Sequence, residues 1–369
     1  MIFQLREFKL SIAEIYNVFD IKNILYFDKN ILITNDIELD YLIKKAETLC
    51  IKIFKLKKYL NSNINEVIKD LELSNHSKFN YAINIFEEKS LKEILKISKK
   101  IIKESSLNPR FINKDFKNIS SILIIKEALV KKETDFNIVF DKNVIYFNTI
   151  WVQDIYSYSN RDYGKDRDMN IGMLPPKLAQ IMINLRNKNK EIKNIYDPFV
   201  LTVLIEAVYS IKDIYGSDIN NKMVETSKNN LKKLKSKFNF NSNIFLQNSK
   251  YINKVDIISD IDLIVTEYLE IMTKNNISID RINKQKLNLI SIYSGFFELK
   301  KKNFKTLVIS FPFWEINKYF YFEEIYEIIK KYCKIKKLLP KNIIKETKSS
   351  LLYKRASQLV REIFVLKIK

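Results

Sequence analysis

An α/β fold is predicted, with a Rossmann-like doubly wound sheet in the C-terminal half behind an α+β N-terminal half. Three observations predict it. From residue 192 onward short apolar runs alternate with helical segments: strand 192–196, helix 203–210, strand 213–217, helix 221–236, strand 243–247, strand 261–266, helix 286–302 and strand 305–310. That is the βαβ rhythm of a mostly parallel sheet. The first of these strands runs into Asp197-Pro198-Phe199 and then an apolar helix start, and the next strand ends at Gly216-Ser217-Asp218. A strand, a tight turn opening a helix, and an acidic residue at the tip of the following strand together form the layout of a cofactor crevice. The front half lacks this order and mixes short strands and helices.

The elements follow in chain order. Ile31–Thr34 reads as a strand, Leu39–Ala46 as a helix and Cys50–Phe54 as a strand. Phe79–Phe86 reads as a strand, Ser90–Glu104 and Ser120–Val130 as helices, and Phe136–Phe140 and Val144–Phe147 as strands. Helices on a small mixed sheet make residues 1–156 an α+β unit. Residues 157–172 carry Arg161-Asp162-Tyr163-Gly164-Lys165-Asp166-Arg167-Asp168 and are expected to be a linker to a second domain over 173–369. Pro175-Pro176 opens a helix over 177–185, because a missing N–H costs nothing in a first turn. The final apolar run, Arg361–Leu366, is expected to close the sheet as an antiparallel hairpin with an earlier strand.

Composition narrows the function. At 369 residues and 46% hydrophobic content, two full cores are affordable. No apolar run is long enough to span a membrane, the N-terminus has no secretory layout, and a cytoplasmic protein is expected. Two cysteines, Cys50 and Cys333, support neither a disulfide framework nor a zinc site. The single histidine, His76, lies in a polar stretch and reads as a solvated loop residue, so no metal is expected. The net charge of +21 points to a polyanionic partner, nucleic acid above all. Lys, Asn and Ile are inflated together, so an AT-rich genome is the plainer source of that charge. Glycine is scarce: there are only Gly164, Gly172, Gly216 and Gly295, where average usage would give roughly 26.

Several residues carry candidate chemistry. Asp218, at a strand tip, can accept the ribose hydroxyls of an adenosine-containing cofactor, or it can cap the helix that follows. Thr202, at the first turn, can hold a cofactor carboxylate or serve as a plain cap. Glu267 and Tyr268 follow the strand 261–266, at the end of the sheet where ligands bind. Methylating an exocyclic amine needs an acceptor for its N–H bonds, since the lone pair is delocalised into the base, and a flat face to hold that base. Glu267 and Tyr268 would supply these; the plainer reading is a strand end with a solvated acid. Lys55, Lys57, Lys58, Arg110, Lys114, Lys117, Lys126, Lys131 and Lys132 could contact a phosphate backbone, or simply be solvated.

These residues resemble a known family. Gly172-Met173-Leu174-Pro175-Pro176-Lys177-Leu178-Ala179-Gln180-Ile181-Met182-Ile183-Asn184-Leu185, Asp197-Pro198-Phe199, Gly216-Ser217-Asp218 and Ile264-Val265-Thr266-Glu267 are similar to the THUMP-containing tRNA guanosine-N2 methyltransferases. Leu49–Ile53, Asn108-Pro109-Arg110, Trp151–Asp154, Tyr353-Lys354-Arg355 with Gln358, and Arg361-Glu362-Ile363 extend the likeness over nearly the whole chain. The resemblance implies a ferredoxin-like and THUMP RNA-binding front, a methyltransferase sheet behind it, S-adenosylmethionine as cofactor and tRNA as partner. It places Asp197, Phe199 and Thr202 in the cofactor turn, Asp218 on the ribose, Asn248 near the adenine, and Glu267 and Tyr268 in the target-base motif. A non-catalytic RNA-binding relative and a DNA methyltransferase remain as alternatives.

The departures from the family form a pattern. Its turn Asp-Pro-Phe-x-Gly-x-Gly-Thr stands here as Asp197-Pro198-Phe199-Val200-Leu201-Thr202. Its Leu-Gly-Gly stands as Leu49-Cys50, the glycine after its Tyr-Leu is missing at Leu269, and the glycine before its Arg-Glu-Ile is missing before Arg361. Drift mostly substitutes residues; here glycines are dropped. The expected cause is UGA codons that the source organism reads as glycine. In-frame UGA at these gaps is the expected result of reading the gene, and its absence there rules the cause out.

Overall fold

The computed structural model describes residues 1–46 (apart from 6, 20 and 22), 52–60, 79–86, 92, 96, 100, 110–113, 118–140, 144–166, 174–186, 191–249, 261–267, 278–297, 306–339 (apart from 317, 321 and 322), 351–354 and 359–369. For 52–60, 140, 144–146, 313–320 and 359 the backbone alone is described. The chain divides into two compact units: Met1–Phe8, Ile21–Glu47 and Ile51–Ile155 form one, and Lys9–Asp20, Thr48–Cys50 and Tyr156–Lys369 the other.

The first unit is built on eight strands in the order β2-β3-β1-β4-β8-β7-β5-β6. They are β1 (Ile2–Gln4), β2 (Ile24–Phe27), β3 (Ile31–Thr34), β4 (Lys52–Leu60), β5 (Asn80–Ile85), β6 (Arg110–Phe111), β7 (Asp135–Phe140) and β8 (Val144–Val152). Pairing is antiparallel except where β5 runs parallel to β6 and β7. Asp28 closes the β2–β3 hairpin by accepting the N–H groups of Asn30 and Ile31 at 2.6 and 2.8 Å. Helix α1 (Phe8–Val18) falls largely in the second unit, whereas α2 (Leu39–Ala46), α3 (Ser121–Lys126) and α4 (Leu129–Lys132) belong to the first. Ser120 caps α3 through the Leu123 N–H. Ala128 and Glu133, flanking α4, sit at φ 53° and 54°, a left-handed conformation that costs a side-chain-bearing residue about 1–2 kcal/mol and that glycine adopts freely.

The second unit contains α5 (Ile155–Tyr163), α6 (Pro176–Asn184), β9 (Asn194–Asp197), α7 (Thr202–Ala207), β10 (Asp213–Asp218), α8 (Asn221–Leu234), β11 (Asn241–Leu246), β12 (Leu263–Glu267), α9 (Ile279–Phe297), β13 (Thr306–Ile316), β14 (Lys318–Phe320), α10 (Glu323–Tyr332), β15 (Cys333–Ile335), β16 (Leu351–Lys354) and β17 (Leu359–Ile368). Its sheet runs β11-β10-β9-β12-β13-β17-β15, with β14 on β13 and β16 on β17. Strands β11, β10, β9, β12 and β13 are parallel, and β17 is antiparallel to both β13 and β15. The order is that of a dinucleotide-binding sheet, 3-2-1-4-5-6, with one antiparallel strand inserted before the last. Leu263–Thr266 is fully buried, as expected of a parallel strand covered on both faces. One apolar layer joins Leu178, Met182, Leu204, Ile214 and Leu231; the other joins Ile282, Leu289, Ile309, Ile325 and Phe364.

The expected strands and helices of the second domain are present, with differences that have physical causes. The segment read as a linker begins with α5, whose Arg161 side chain is held between the Tyr158 and Tyr209 rings, 3.9 and 4.4 Å from their centroids, and paired at 3.0 Å with buried Glu206. Helix α9 (Ile279–Phe297) begins before the expected 286, because its first turns carry their buried Ile282 among polar residues; the expected end at 298–302 lies outside the described residues. The closing strand β17 pairs antiparallel with the preceding β16, as expected, and it also lies inside the sheet between β13 and β15. Of the expected helix 90–104, only residues 92, 96 and 100 are described, and these are helical.

Gly216 marks the tightest approach in the second sheet. A Cβ there would lie 2.3 Å from Val200 Cγ1 and 2.6 Å from Leu204 Cδ1. Gly216→Ala is therefore expected to destabilise the protein by about 1–3 kcal/mol, the usual cost of overpacking, measured as a lower urea midpoint.

Candidate active site

In an open α/β sheet the ligand crevice lies at the carboxyl ends of the strands, where strand order reverses. Here the reversal is at β9, flanked by β10 on one side and β12 on the other. Asp197, Asp218, Glu267 and, just past β11, Asn248 all stand at that edge.

Asp197 is buried. Its Oδ1 accepts the Thr266 hydroxyl at 2.7 Å and the Phe199 N–H at 3.1 Å. Burial pushes its carboxyl up to about 8, against the pull of these donors. Asp197 thus holds the turn to β12. Phe199 stands edge-on to Tyr293, with centroids 6.4 Å apart.

Asp218 is half-buried at the β10 tip and accepts the Asn220 N–H at 2.8 Å. The helix cap is not Asp218 but Asn220, whose side chain takes the Lys222 N–H at 2.9 Å. Burial raises the Asp218 carboxyl while the Asn220 and Ile219 N–H groups oppose the shift. Asn248 is half-buried, and its carbonyl accepts from the Gln247 amide.

Thr202 opens α7 but does not face open solvent: it is buried, with Lys165 Nζ 3.5 Å from its hydroxyl. Lys165 also lies 3.5 Å from Asp162. The strap 155–166 that carries Lys165 is fixed by the Arg161–Glu206 pair and by Asn230, which exchanges hydrogen bonds of 2.8 and 3.0 Å with the Asp166 backbone. Burial raises Glu206 to about 7, opposed by Arg161 and Lys165.

Glu267 ends β12 with its side chain 3% exposed. Its Oε1 accepts Arg361 Nε and the Ser310 hydroxyl, each at 2.7 Å. Sequence reasoning expected a solvated or substrate-facing acid and missed both partners, which lie 43 and 94 residues away along the chain. The signal available was the Arg361-Glu362-Ile363 run, read there only as a closing strand. Tyr268 lies outside the described residues, as do Lys114 and Lys117. Arg110, Lys126, Lys131 and Lys132 are exposed, as a phosphate-contacting set requires.

An adenosine-bearing cofactor can be tested against these groups. Asp218 offers a carboxylate at the crevice rim, and Asn248 an amide beside it. Val200 is buried in the core layer against Gly216, one alternation below the Asp218 tip, with its N–H on the Ser217 carbonyl at 3.1 Å. The rim residues fit such a group; the turn between Phe199 and Thr202 is drawn tight. Among the described residues no helix is long and apolar enough to cross a membrane, and no group of three His, Cys, Asp or Glu could hold a metal ion.

No protein-family model matches the sequence, and no curated protein matches it. Among solved structures, a possible methylase from Clostridium difficile 630 superposes with a TM-score of 0.54 at 13% identity, covering 98% of this chain and 97% of that one. A predicted N6-adenine-specific DNA methylase from Listeria monocytogenes str. 4b F2365 gives 0.44 at 9% identity, covering 84% and 88%. The first likeness runs through both units: the chain has the fold of a Rossmann-like methyltransferase sheet preceded by an α+β front half.

The Asp197 carboxyl supplies a pH test of this geometry. Its folded value, about 8, lies above that of an unfolded aspartate, about 3.9. Its contribution to stability is complete below the unfolded value and is lost as pH rises through the folded one. Asp197→Asn is therefore expected to gain stability relative to wild type by about 1 kcal/mol per pH unit between pH 5 and 8, read by urea unfolding. Parallel pH curves for the two proteins would contradict it.

Proposed function

We propose that the protein transfers a methyl group from S-adenosylmethionine to the exocyclic N2 of a guanosine in tRNA. The observation that carries this reading is the second sheet: its strand order, with β17 inserted antiparallel, sets Asp218 and Glu267 at the carboxyl ends of strands on either side of β9. When bound, the cofactor supplies an electrophilic methyl on a sulfonium. Asp218 would take the ribose hydroxyls and Asn248 would lie near the adenine. Asp197 would brace the turn from below. Glu267 would accept an N–H of the target amine and Tyr268 would hold the base flat. The front unit, read as ferredoxin-like and THUMP, would hold the tRNA backbone together with the more basic second unit: of the net charge of +21, residues 1–156 carry +4 and residues 157–369 carry +17.

A second reading, an RNA-binding relative without cofactor, is favoured by the short Phe199–Thr202 turn. Calorimetry with S-adenosylmethionine separates the two. Saturable binding is expected, weakened roughly 10- to 100-fold by Asp218→Ala, the worth of a hydrogen bond to a charged group. Glycines inserted after Val200 and after Leu201 are expected to tighten binding about tenfold, or ~1.4 kcal/mol. No binding with or without the insertions selects the second reading. Nucleoside analysis of tRNA from a strain lacking the gene is expected to show loss of N2-methylguanosine; an unchanged tRNA with altered DNA bases would point to DNA as the substrate.

A further inference from the structure

Glu267 and Arg361 stand on strands separated by β13, two ladder spacings or about 10 Å apart. Glu267 is in register with Ser310, which is in turn opposite Ile363, while Arg361 is opposite Pro312. Both long side chains lean over Ser310 and meet there, Arg361 Nε to Glu267 Oε1 at 2.7 Å, with side chains 7% and 3% exposed. Ser310 donates to the same oxygen at 2.7 Å. Among the described residues no hydrogen bond reaches Oε2.

A buried ion pair is a poor stabiliser, since desolvation offsets much of the attraction and an apolar pair of like volume often serves as well. This one does not sit in mid-sheet. It lies at the carboxyl end of β12, level with Ser310 within β13 and beside the amino-terminal part of antiparallel β17, and an α/β sheet places its ligand at the carboxyl ends of its parallel strands. Two donors on one oxygen fix the rotation of the carboxylate, and the guanidinium supplies the counter-charge that a desolvated anion requires. One oxygen is committed and one is left to meet a ligand.

We infer that Arg361 is a positioning residue for methyl transfer: with Ser310 it immobilises Oε1 of Glu267, so that Oε2 is presented to a single N–H of the target amine. The inference rests on the proposed role of Glu267. The amine would enter with one N–H on Oε2; as its nitrogen bonds to the methyl carbon, the carbon–sulfur bond breaks, the donor leaves as a neutral thioether, and the surplus proton passes from nitrogen to Oε2 and on to water. A bidentate grip on two adjacent N–H groups of a base edge is excluded by the prior claim on Oε1.

The test is single-turnover methyl transfer to a tRNA transcript by the full chain, with cofactor and tRNA affinities measured alongside. Arg361→Gln is expected to lower the rate about 100-fold or more, with both affinities within about twofold, the pattern of an interaction made only in the transition state. Arg361→Lys, which keeps the charge and one donor, is expected to recover to within about tenfold of wild type. Because Arg361 acts through Glu267, Arg361→Gln in a Glu267→Gln background is expected to cost under about threefold more. Equal losses in both backgrounds, or a wild-type rate for Arg361→Gln, overturn the inference while leaving the proposed function standing. If Arg361→Gln does not fold, Arg361→Lys and Ser310→Ala take its place: a fall of about threefold or more at unchanged melting temperature supports the role, and undiminished rates in both overturn it. A wild-type chain that transfers no methyl group overturns the proposed function and this inference with it.

Discussion

The Asp197 carboxyl ties three pieces of chain together at one atom. Its Oδ1 receives the hydroxyl of Thr266 from β12 and the N–H of Phe199 from the turn that leads to α7. An unmet donor or acceptor at that depth costs more than a made bond returns, so the strand, its neighbour and the turn have little freedom to move apart. Everything at the crevice inherits its position from this contact. Thr266 fixes where β12 ends and hence where Glu267 begins; Phe199 fixes the path of the turn and hence the start of α7; and Val200, next along, drops against Gly216 beneath the Asp218 tip.

The crevice has two charged flanks with different partners. On one side Glu206 is enclosed with Arg161, whose guanidinium is stacked between two tyrosine rings, and with Lys165. On the other, Glu267 is enclosed with Arg361. Arginine suits both places because its planar fork loses little freedom on binding and its weak hydration makes burial less costly than for lysine. The turn between the flanks carries no glycine, so its shape is set by Val200 and Leu201.

The central strands were legible in the sequence because a strand covered on both faces needs an unbroken apolar run, as in Leu263–Val265 and Leu307–Ile309. The carboxylates Asp197, Asp218 and Glu267 were legible because they terminate such runs. Helix α1 was not: Leu10, Ser11, Ile12, Ala13, Glu14 and Ile15 are all buried, and an element buried around most of its circumference loses the periodicity that reveals a helix. The three-residue strands β14 and β15 are too short for any alternation. The partners of Glu267 and of Thr202 stayed hidden because no local pattern reports a contact across tens of residues. Asp218 could be read as a cap or as a ligand, and the capping position falls to Asn220.

Helix α1 has a temporal consequence. Asn17 donates to the carbonyls of Asn184 and Arg186, and Asn184 donates to Glu14, over separations of 167 to 170 residues. At about 5–20 residues per second on the ribosome, this apolar segment leaves the exit tunnel some ~10–30 seconds before its docking site has been made. Residues 21–47 and 51–155 of the first unit are synthesised in the interval. A nascent chain of this protein therefore carries an uncovered greasy stretch for nearly half of its birth, a standing invitation to a holdase.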